Sequence, residues 1–147
     1  MSIIIKPKDL VKKKFLGIKY KLNGRNFKGT DCLGLVWLFL KENGIDIPES
    51  DGLPIHKNWW IHDPDRYING CIKAGGRFVL LPEIKRLDLI FFVNNPIHKH
   101  PNHSGIMLNS GWFLHILEDE VSEVTMIDSK WLKRFGGAIR FGDRNGW

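Results

Sequence analysis

The junction between a polar loop and a long apolar run at residues 29–40 constrains the fold more than any other part of the chain. Thr30 and Asp31 are residue types that cap helix N-termini, and the segment 33–40 after them is apolar almost all round. Gly44 follows shortly and is a typical helix end. A helix without a polar face must be covered on several sides, so the sequence predicts a buried helix at the centre of the domain.

Cys32 is the residue at which the polar loop gives way to this helix. In a first helical turn, unpaired backbone N–H groups and the positive end of the helix dipole favour the thiolate over the thiol. Cys32 is therefore a candidate nucleophile. The alternative is a small buried core residue, which is the role of most free cysteines, and the cysteine alone does not decide between the two.

The size and cysteine content of the chain indicate one domain over residues 1–147. A chain of 147 residues, with 43% apolar and 26% charged residues, can bury a core without disulfides or a metal. Its two cysteines, Cys32 and Cys71, do not make a disulfide framework and are expected to remain thiols. Cys71 has no basic motif nearby and is expected to be structural.

The predicted elements are ordered with helices first and strands second. Helices are predicted at 7–16, at 33–40 and at about 63–74, and the segment 129–135 is either a short helix or a turn. A short strand at 77–81 is an open alternative. Period-two patterns predict five further strands, which lie at 87–93, 103–108, 112–117, 121–127 and 137–141. Helices followed by an antiparallel meander are typical of an α+β fold.

The charge of the chain, formally +6, indicates an anionic partner such as nucleic acid or a cell-wall polymer. Most basic residues are scattered, and a solvated helix face explains the lysines at 12–14 equally well. No nucleic-acid-binding signature is present, so nucleic acid is not expected as a partner. The N-terminal residues lack a signal-peptide pattern and no stretch is long enough to span a bilayer. We therefore expect synthesis in the cytoplasm and no membrane span.

Two histidines are candidates for the base that a nucleophilic cysteine needs. His103 begins one predicted strand, and His115 lies in the next. If residues 109–111 close a hairpin between them, paired residue numbers sum to about 220 or 218, which brings His103 opposite a residue close to His115. The two imidazoles are then neighbours on one sheet face. One can deprotonate the thiol while the other holds its ring and tautomer.

Four segments in order resemble the NlpC-type cell-wall cysteine peptidases. They are 20–24 (YKLNG), 29–36 (GTDCLGLV), 87–92 (LDLIFF) and 103–108 (HSGIML). The first two are similar to the family's tyrosine and nucleophile motifs, the third to its "GDLVFF" strand and the fourth to its base-bearing "HVGIYL" strand. His115 lies where the family's third catalytic polar residue is expected.

The resemblance implies a role for each matching residue. Cys32 is the nucleophile, His103 the general base and acid, and His115 the orienting residue. Tyr20 and Asp31 lie on the oxyanion and substrate side of the site. The implied fold is papain-like, with the cysteine on a central N-terminal helix packed on an antiparallel five-stranded sheet. The implied reaction, which uses no cofactor, is hydrolysis of amide bonds in peptidoglycan stem peptides, near D-glutamate, through an acyl-enzyme.

This chain departs from the family pattern at three places. Leu33 follows the cysteine where serine is usual, Asn23 stands in a segment that is usually glycine-rich, and Leu87 replaces the glycine before the aspartate of "GDLVFF". A bulky residue after the cysteine is closer in character to the family's phage and prophage tail branch. Phage tail proteins are then expected partners besides peptidoglycan, and the protein is expected in a virion tail or released by lysis.

Some alternatives stay open on the sequence alone. A catalytically silent papain-like module with a structural or wall-binding role in a phage tail is the second functional class. His98 and His100 lie close to His103 and suggest zinc, but their spacing and proline-containing loop do not match a standard site, and no metal is expected. His56 and His62 with the pair Trp59 and Trp60 either line a substrate groove or cover the core. The scissile bond and the oligomeric state are not specified.

Overall fold

A computed structural model describes residues 7–50, 52–55, 65–94 and 101–142. Within these ranges there are three α-helices. They are α1 at Cys32–Glu42, α2 at Arg66–Lys73 and α3 at Ser129–Lys133. The same ranges contain no helix that is both long and apolar enough to cross a membrane.

The described strands form a small sheet and a large one, and all their pairings are antiparallel. The small sheet joins β1 (Arg25–Asn26) to β2 (Gly29–Thr30) just before α1. The large sheet has six strands in the order β3-β8-β4-β5-β6-β7. Its strands are β3 (Gly76–Phe78), β4 (Leu89–Phe92), β5 (His103–Met107), β6 (Trp112–His115), β7 (Glu123–Met126) and β8 (Phe135–Phe141).

The two faces of the large sheet are buried differently, because successive side chains on each strand point to opposite sides. On one side, which we call the helix face, α1 packs Leu35 and Phe39 against strand residues such as Phe91 and Ile106. On the other side, which we call the aromatic face, a smaller cluster consists of Ile90, Phe92, Phe113 and Trp131. The helix α3 supplies Trp131 to this second cluster.

Asp88, the aspartate of the segment that resembles "GDLVFF", is a structural anchor. Its carboxylate is fully buried and accepts two hydrogen bonds from the Arg140 guanidinium, each 2.8 Å, and one from the backbone N–H of Lys85. A bidentate pair of this kind holds two groups in one relative orientation. It ties the start of β4 to β8.

The α+β papain-like architecture predicted from the sequence is confirmed, with corrections in detail. The large sheet has six strands rather than five, because β3 adds to the edge of β8. The predicted helix at 7–16 is wrong: two short 3₁₀ turns, Pro7–Asp9 and Lys13–Phe15, occupy its place. Its apolar face was too narrow to support a helix by packing. The segment 129–135 contains a true helix, α3, and the start of the helix predicted from residue 63 lies outside the described residues.

Candidate active site

Cys32 is the first residue of α1, and the loop before it is built to hold that position. Asp31 is the N-cap: its Oδ1 accepts a hydrogen bond of 2.8 Å from the backbone N–H of Gly34. Gly34 is tightly enclosed, since a Cβ there would collide with Thr30 Oγ1 and with the carbonyl oxygen of Gly24. The close approach of the helix to the β1–β2 hairpin therefore requires glycine at this position.

The Asp31 carboxylate makes several contacts with this loop. Besides capping α1, its Oδ1 forms an ion pair of 2.8 Å with Arg25, and its Oδ2 accepts from the backbone N–H of Asn23 at 2.8 Å. Its side chain is almost completely buried. Asp31 thus shapes the segment that carries the nucleophile, and its described contacts are all within the protein.

The β5–β6 hairpin brings the two candidate histidines together. Gly105 pairs with His115, so paired residue numbers sum to 220, as one of the two predicted registers requires. His103 Nε2 and His115 Nδ1 are 2.8 Å apart, which is a buried hydrogen bond. Gly105 lies between them, and a Cβ on it would meet Phe113 and the Cβ of His115. The glycine of this motif therefore leaves the space in which the imidazoles meet.

Both histidines lie on the aromatic face of the sheet. The His103 ring stacks on Phe92 with ring centroids 6.0 Å apart. The ring centroids of His115 and Phe113 are 4.3 Å apart. Trp131 of α3 lies within 5.7 Å of both imidazoles. Its importance could not be read from the sequence, because the segment 129–135 gave no clear pattern there.

Burial and neighbouring groups lower the pKa of both imidazoles. Burial, with His115 as the second cause, brings the pKa of His103 well below its ordinary 6.5. Burial and the nearby Lys130 ammonium lower the pKa of His115 to about 4. Both rings are therefore neutral at pH 7. A neutral ring has one bare nitrogen, which a general base needs.

Cys32 lies on the helix face, next to Ser104 of β5. Burial and then the Asp31 carboxylate raise the pKa of its thiol to about 11, and the contact with Ser104 opposes this increase. Desolvation and the Asp31 carboxylate thus act against the thiolate preference predicted for a helix N-terminus, because both disfavour the charged form of the thiol. Within the described ranges no hydrogen bond joins Cys32 to His103.

Ser104 is the residue that connects the two sides of the site. It follows His103 directly in β5, so the two side chains point to opposite faces of the sheet. Its hydroxyl is buried beside Cys32 and makes no hydrogen bond of ordinary geometry within the described residues. Sequence reasoning passed over this residue, since serine in a strand carries no signal of its own.

Tyr20 lies near Cys32, close enough for the charges of the two groups to interact. It is half-buried, and an isolated bridge pairs it with Thr30. Burial, followed by the charges of Cys32 and Asp31, raises the pKa of Tyr20 above its ordinary value. Its hydroxyl thus keeps its proton and can donate a hydrogen bond into the site.

The departures from the family pattern have local structural explanations. Asn23 and Leu87, which stand where the family has glycine, both have left-handed backbones with φ of 63° and 78°. Leu33 is buried and lines a mostly apolar cavity of about 310 Å³ between α1 and α2, together with Tyr67 and Cys71. The bulky residue after the nucleophile therefore contacts a cavity beside the site.

Several predicted candidates lie outside the described residues, namely His56, His62, Trp59, Trp60, His98 and His100. The zinc alternative depended on His98 and His100, so nothing described here bears on it directly. Among the residues that the structure does describe, no group of three histidine, cysteine or acidic side chains could hold a metal ion.

A cysteine at the N-terminus of a buried helix, beside an antiparallel sheet that carries a histidine pair, defines the papain-like class of fold. The chain belongs to the NlpC/P60 family, whose model matches residues 17–140. Among curated proteins it is similar to the probable peptidoglycan endopeptidase LytE of Bacillus subtilis, with 26% identity over 129 residues. That match covers 88% of this chain and 32% of LytE, so the chain spans about a third of that relative.

Solved structures support the fold. An NlpC/P60 family protein from Bacillus cereus superposes with a TM-score of 0.63 at 22% identity, over 93% of this chain and 40% of that one. RipD of Mycobacterium tuberculosis, described as a non-catalytic NlpC/p60 domain protein adapted to peptidoglycan binding, gives 0.53 at 18% identity, over 92% and 97%. The family thus includes a member that has the fold without the activity.

Proposed function

We propose that this protein is a thiol hydrolase that cleaves amide bonds in the stem peptides of peptidoglycan. The observation that carries the proposal is the buried hydrogen bond of 2.8 Å between His103 and His115, in the strand next to the helix that begins with Cys32. A pair of neutral imidazoles has no evident structural need to be buried, since two apolar side chains would fill the space at lower cost. Orienting a base for the nearby thiol accounts for it.

The proposed chemistry follows from the ring nitrogen, N–H and O–H groups of the site that can contact the substrate or the thiol. His103 uses Nε2 toward His115, which leaves Nδ1 to take the proton from Cys32 Sγ as the sulfur attacks the amide carbonyl. The oxyanion is stabilised by the Tyr20 hydroxyl and by the backbone N–H of Cys32, which lies in the first helical turn and has no acceptor among the described residues. The imidazolium then protonates the leaving amine. Water hydrolyses the thioester, releases the carboxylate and restores the thiol.

Because thiol and imidazole are both neutral before the reaction, proton transfer has to accompany the attack. Catalytic hydrogen bonds are often long in unliganded enzymes and shorten when substrate is bound. On this proposal, the contact between Cys32 and His103 forms when substrate is bound. Cleavage next to D-glutamate, and a place in a phage or prophage particle, are finer parts of the same proposal and rest on the family resemblance and on Leu33.

The test is the release of new amino groups from purified peptidoglycan, with the fragments identified by mass spectrometry. Cys32→Ala should reduce the rate by more than about 10⁴-fold, as expected when a covalent nucleophile is removed. The matched control is Cys71→Ala, which removes the other thiol and should leave the activity close to that of the wild type. Full activity in Cys32→Ala would overturn the nucleophile assignment.

A second candidate, a silent wall-binding module, is favoured by one observation, which is that no hydrogen bond joins Cys32 to His103 among the described residues. The raised pKa of the Cys32 thiol agrees with it. The same samples separate the two functions. If the protein is a silent module, the wild type and Cys32→Ala should sediment with peptidoglycan to the same extent. Neither protein should then release amino groups.

A further inference from the structure

Beyond the two histidines, the hydrogen-bonded chain continues across the sheet to a carboxylate. His115 Nε2 and Thr125 Oγ1 are 2.9 Å apart, and the Thr125 hydroxyl lies 3.2 Å from Glu123 Oε1. Thr125 and Glu123 lie on β7, which pairs with β6, and Glu123 is the register partner of His115. His115 Nε2 is 3.8 Å from Glu123 Oε1, too far for a direct hydrogen bond, so Thr125 bridges them.

We infer that Thr125 and Glu123 are positioning residues that set the direction of the proton-donating chain and so keep His103 Nδ1 bare. The inference rests on the proposed function only in that the bare nitrogen is then the one that accepts the Cys32 proton. Neither residue touches the thiol. They act through His115.

The direction of the hydrogen bonds is fixed by the group at the far end of the series, the Glu123 carboxylate. A carboxylate only accepts hydrogen bonds, so the single proton of the Thr125 hydroxyl goes to Glu123. The Thr125 oxygen then accepts from His115, which therefore carries its proton on Nε2. A neutral ring protonated there has a bare Nδ1, which can only accept from His103 Nε2.

His103 is consequently protonated on Nε2 and bare on Nδ1. The reverse direction would leave its proton on Nδ1, where the ring cannot act as a base toward Cys32. Burial makes the choice matter, since both imidazoles are neutral and almost inaccessible, and water does not readily replace the internal partners. Glu123 itself has a side chain that is 60% exposed, so its influence is the weaker of the two.

The first test is spectroscopic and needs no substrate. ¹⁵N NMR of the full chain at pH 7 reports which ring nitrogen of each histidine carries the proton. We expect the Nε2-protonated form of both rings in the wild type and in Thr125→Ser, and a mixture of forms in Thr125→Val, which keeps the shape but has no hydroxyl. A proton on His103 Nδ1 in the wild type, or unchanged tautomers in Thr125→Val, would overturn the inference.

The second test is kinetic. Thr125→Val should lower kcat by about tenfold, which is less than the roughly 10²- to 10⁴-fold of the whole general-base contribution because His103 itself stays in place, and Thr125→Ser should restore it. Glu123→Ala should lower kcat by about two- to threefold. The matched control is Glu120→Ala, which removes an exposed carboxylate that takes no part in this series of hydrogen bonds and should leave kcat unchanged. Equal kcat in wild type and Thr125→Val would contradict the inference. If the wild type releases no product at all, the proposed function fails, and the NMR result still decides the inference.

Discussion

The two faces of the large sheet hold the two halves of the candidate site by different means. On the helix face, Cys32 is placed by apolar packing of α1 and by the buried Asp31 cap with its Arg25 partner. On the aromatic face, His103 and His115 are placed by hydrogen bonds inside a group of aromatic rings. The position of the nucleophile therefore depends on the stability of the fold. The function of the base depends instead on which atom donates and which accepts in each hydrogen bond.

Burial acts on both halves but in opposite directions. It raises the pKa of the Cys32 thiol and lowers the pKa of His103 and His115, because in each case it disfavours the charged form. The result is a neutral thiol on one face and two neutral imidazoles on the other. The halves come closest at the start of β5, where His103 and Ser104 are consecutive residues that point to opposite faces.

The largest expected difference between the faces concerns their two helix caps. Asp31→Ala removes the cap of α1 and leaves Arg25 without its buried partner, so it should lower the free energy of unfolding by about 3 kcal/mol or more. Asp128 caps α3 through one hydrogen bond to the backbone N–H of Trp131 and lies exposed. Asp128→Ala should therefore cost only about 1 kcal/mol.

Urea unfolding of the two variants measures this difference directly. Arg25→Ala is a useful third variant, since it leaves the cap intact and removes the ion pair together with the hydrogen bonds that Arg25 donates to the Gly24 and Glu49 carbonyls. Similar losses for Asp31→Ala and Asp128→Ala would mean that the loop before Cys32 is held no more firmly than an ordinary surface helix end.

The aromatic face should make the protein sensitive to acid. The pKa of His115 is lowered from 6.5 to about 4 in the folded state, so below pH 6.5 the unfolded chain binds the proton more readily than the folded one. The free energy of unfolding should then fall as the pH falls from 6.5 to 4, by up to about 3 kcal/mol from this residue. In His115→Gln, which does not titrate, the decline should be smaller by that amount. Parallel curves for the two proteins would show that His115 is not buried in neutral form.

A smaller effect is expected from the glycine between the two imidazoles. Gly105→Ala places a Cβ against Phe113, the Leu114 carbonyl and His115, so it should destabilise by about 1–3 kcal/mol and perturb the NMR signals of both histidines. Gly136 on β8 is the matched control because it is exposed and an added Cβ there meets neighbours no closer than 3.4 Å. Its alanine variant should change stability by less than about 0.5 kcal/mol. Equal effects at the two glycines would contradict the geometry of the histidine pair.

Features that depend on local sequence were predictable. The cap and buried helix at Cys32 follow from a polar-to-apolar junction, and the neighbouring histidines follow from a hairpin whose turn residues set the register. Features that depend on the assembled fold were not. The raised pKa of the Cys32 thiol reflects its packing against the core and the nearby Asp31 carboxylate, and the roles of Ser104 and Thr125 arise only from neighbouring elements.

The helix predicted at 7–16 is wrong for the same reason, since contacts of the assembled fold decide the structure of this segment. Its polar face and glycine stop matched a helix, but the segment turns twice so that Phe15 can enter the core and Lys12 and Lys14 can pair with Glu42. The family glycines replaced by Asn23 and Leu87 were visible in the sequence as departures. Their positive φ became meaningful only with the backbone in hand.

The central claim, that Cys32 and His103 are neutral until substrate binds, is tested most directly by the pH dependence of Cys32 alkylation. Iodoacetamide reacts with the thiolate, and mass spectrometry separates labelling of Cys32 from labelling of Cys71. The account predicts that the Cys32 rate increases about tenfold per pH unit from pH 6 to pH 9 without a plateau, as it should for a thiol of raised pKa. A plateau that begins below pH 7 and disappears in His103→Ala would contradict the claim and indicate a thiolate–imidazolium pair in the resting protein.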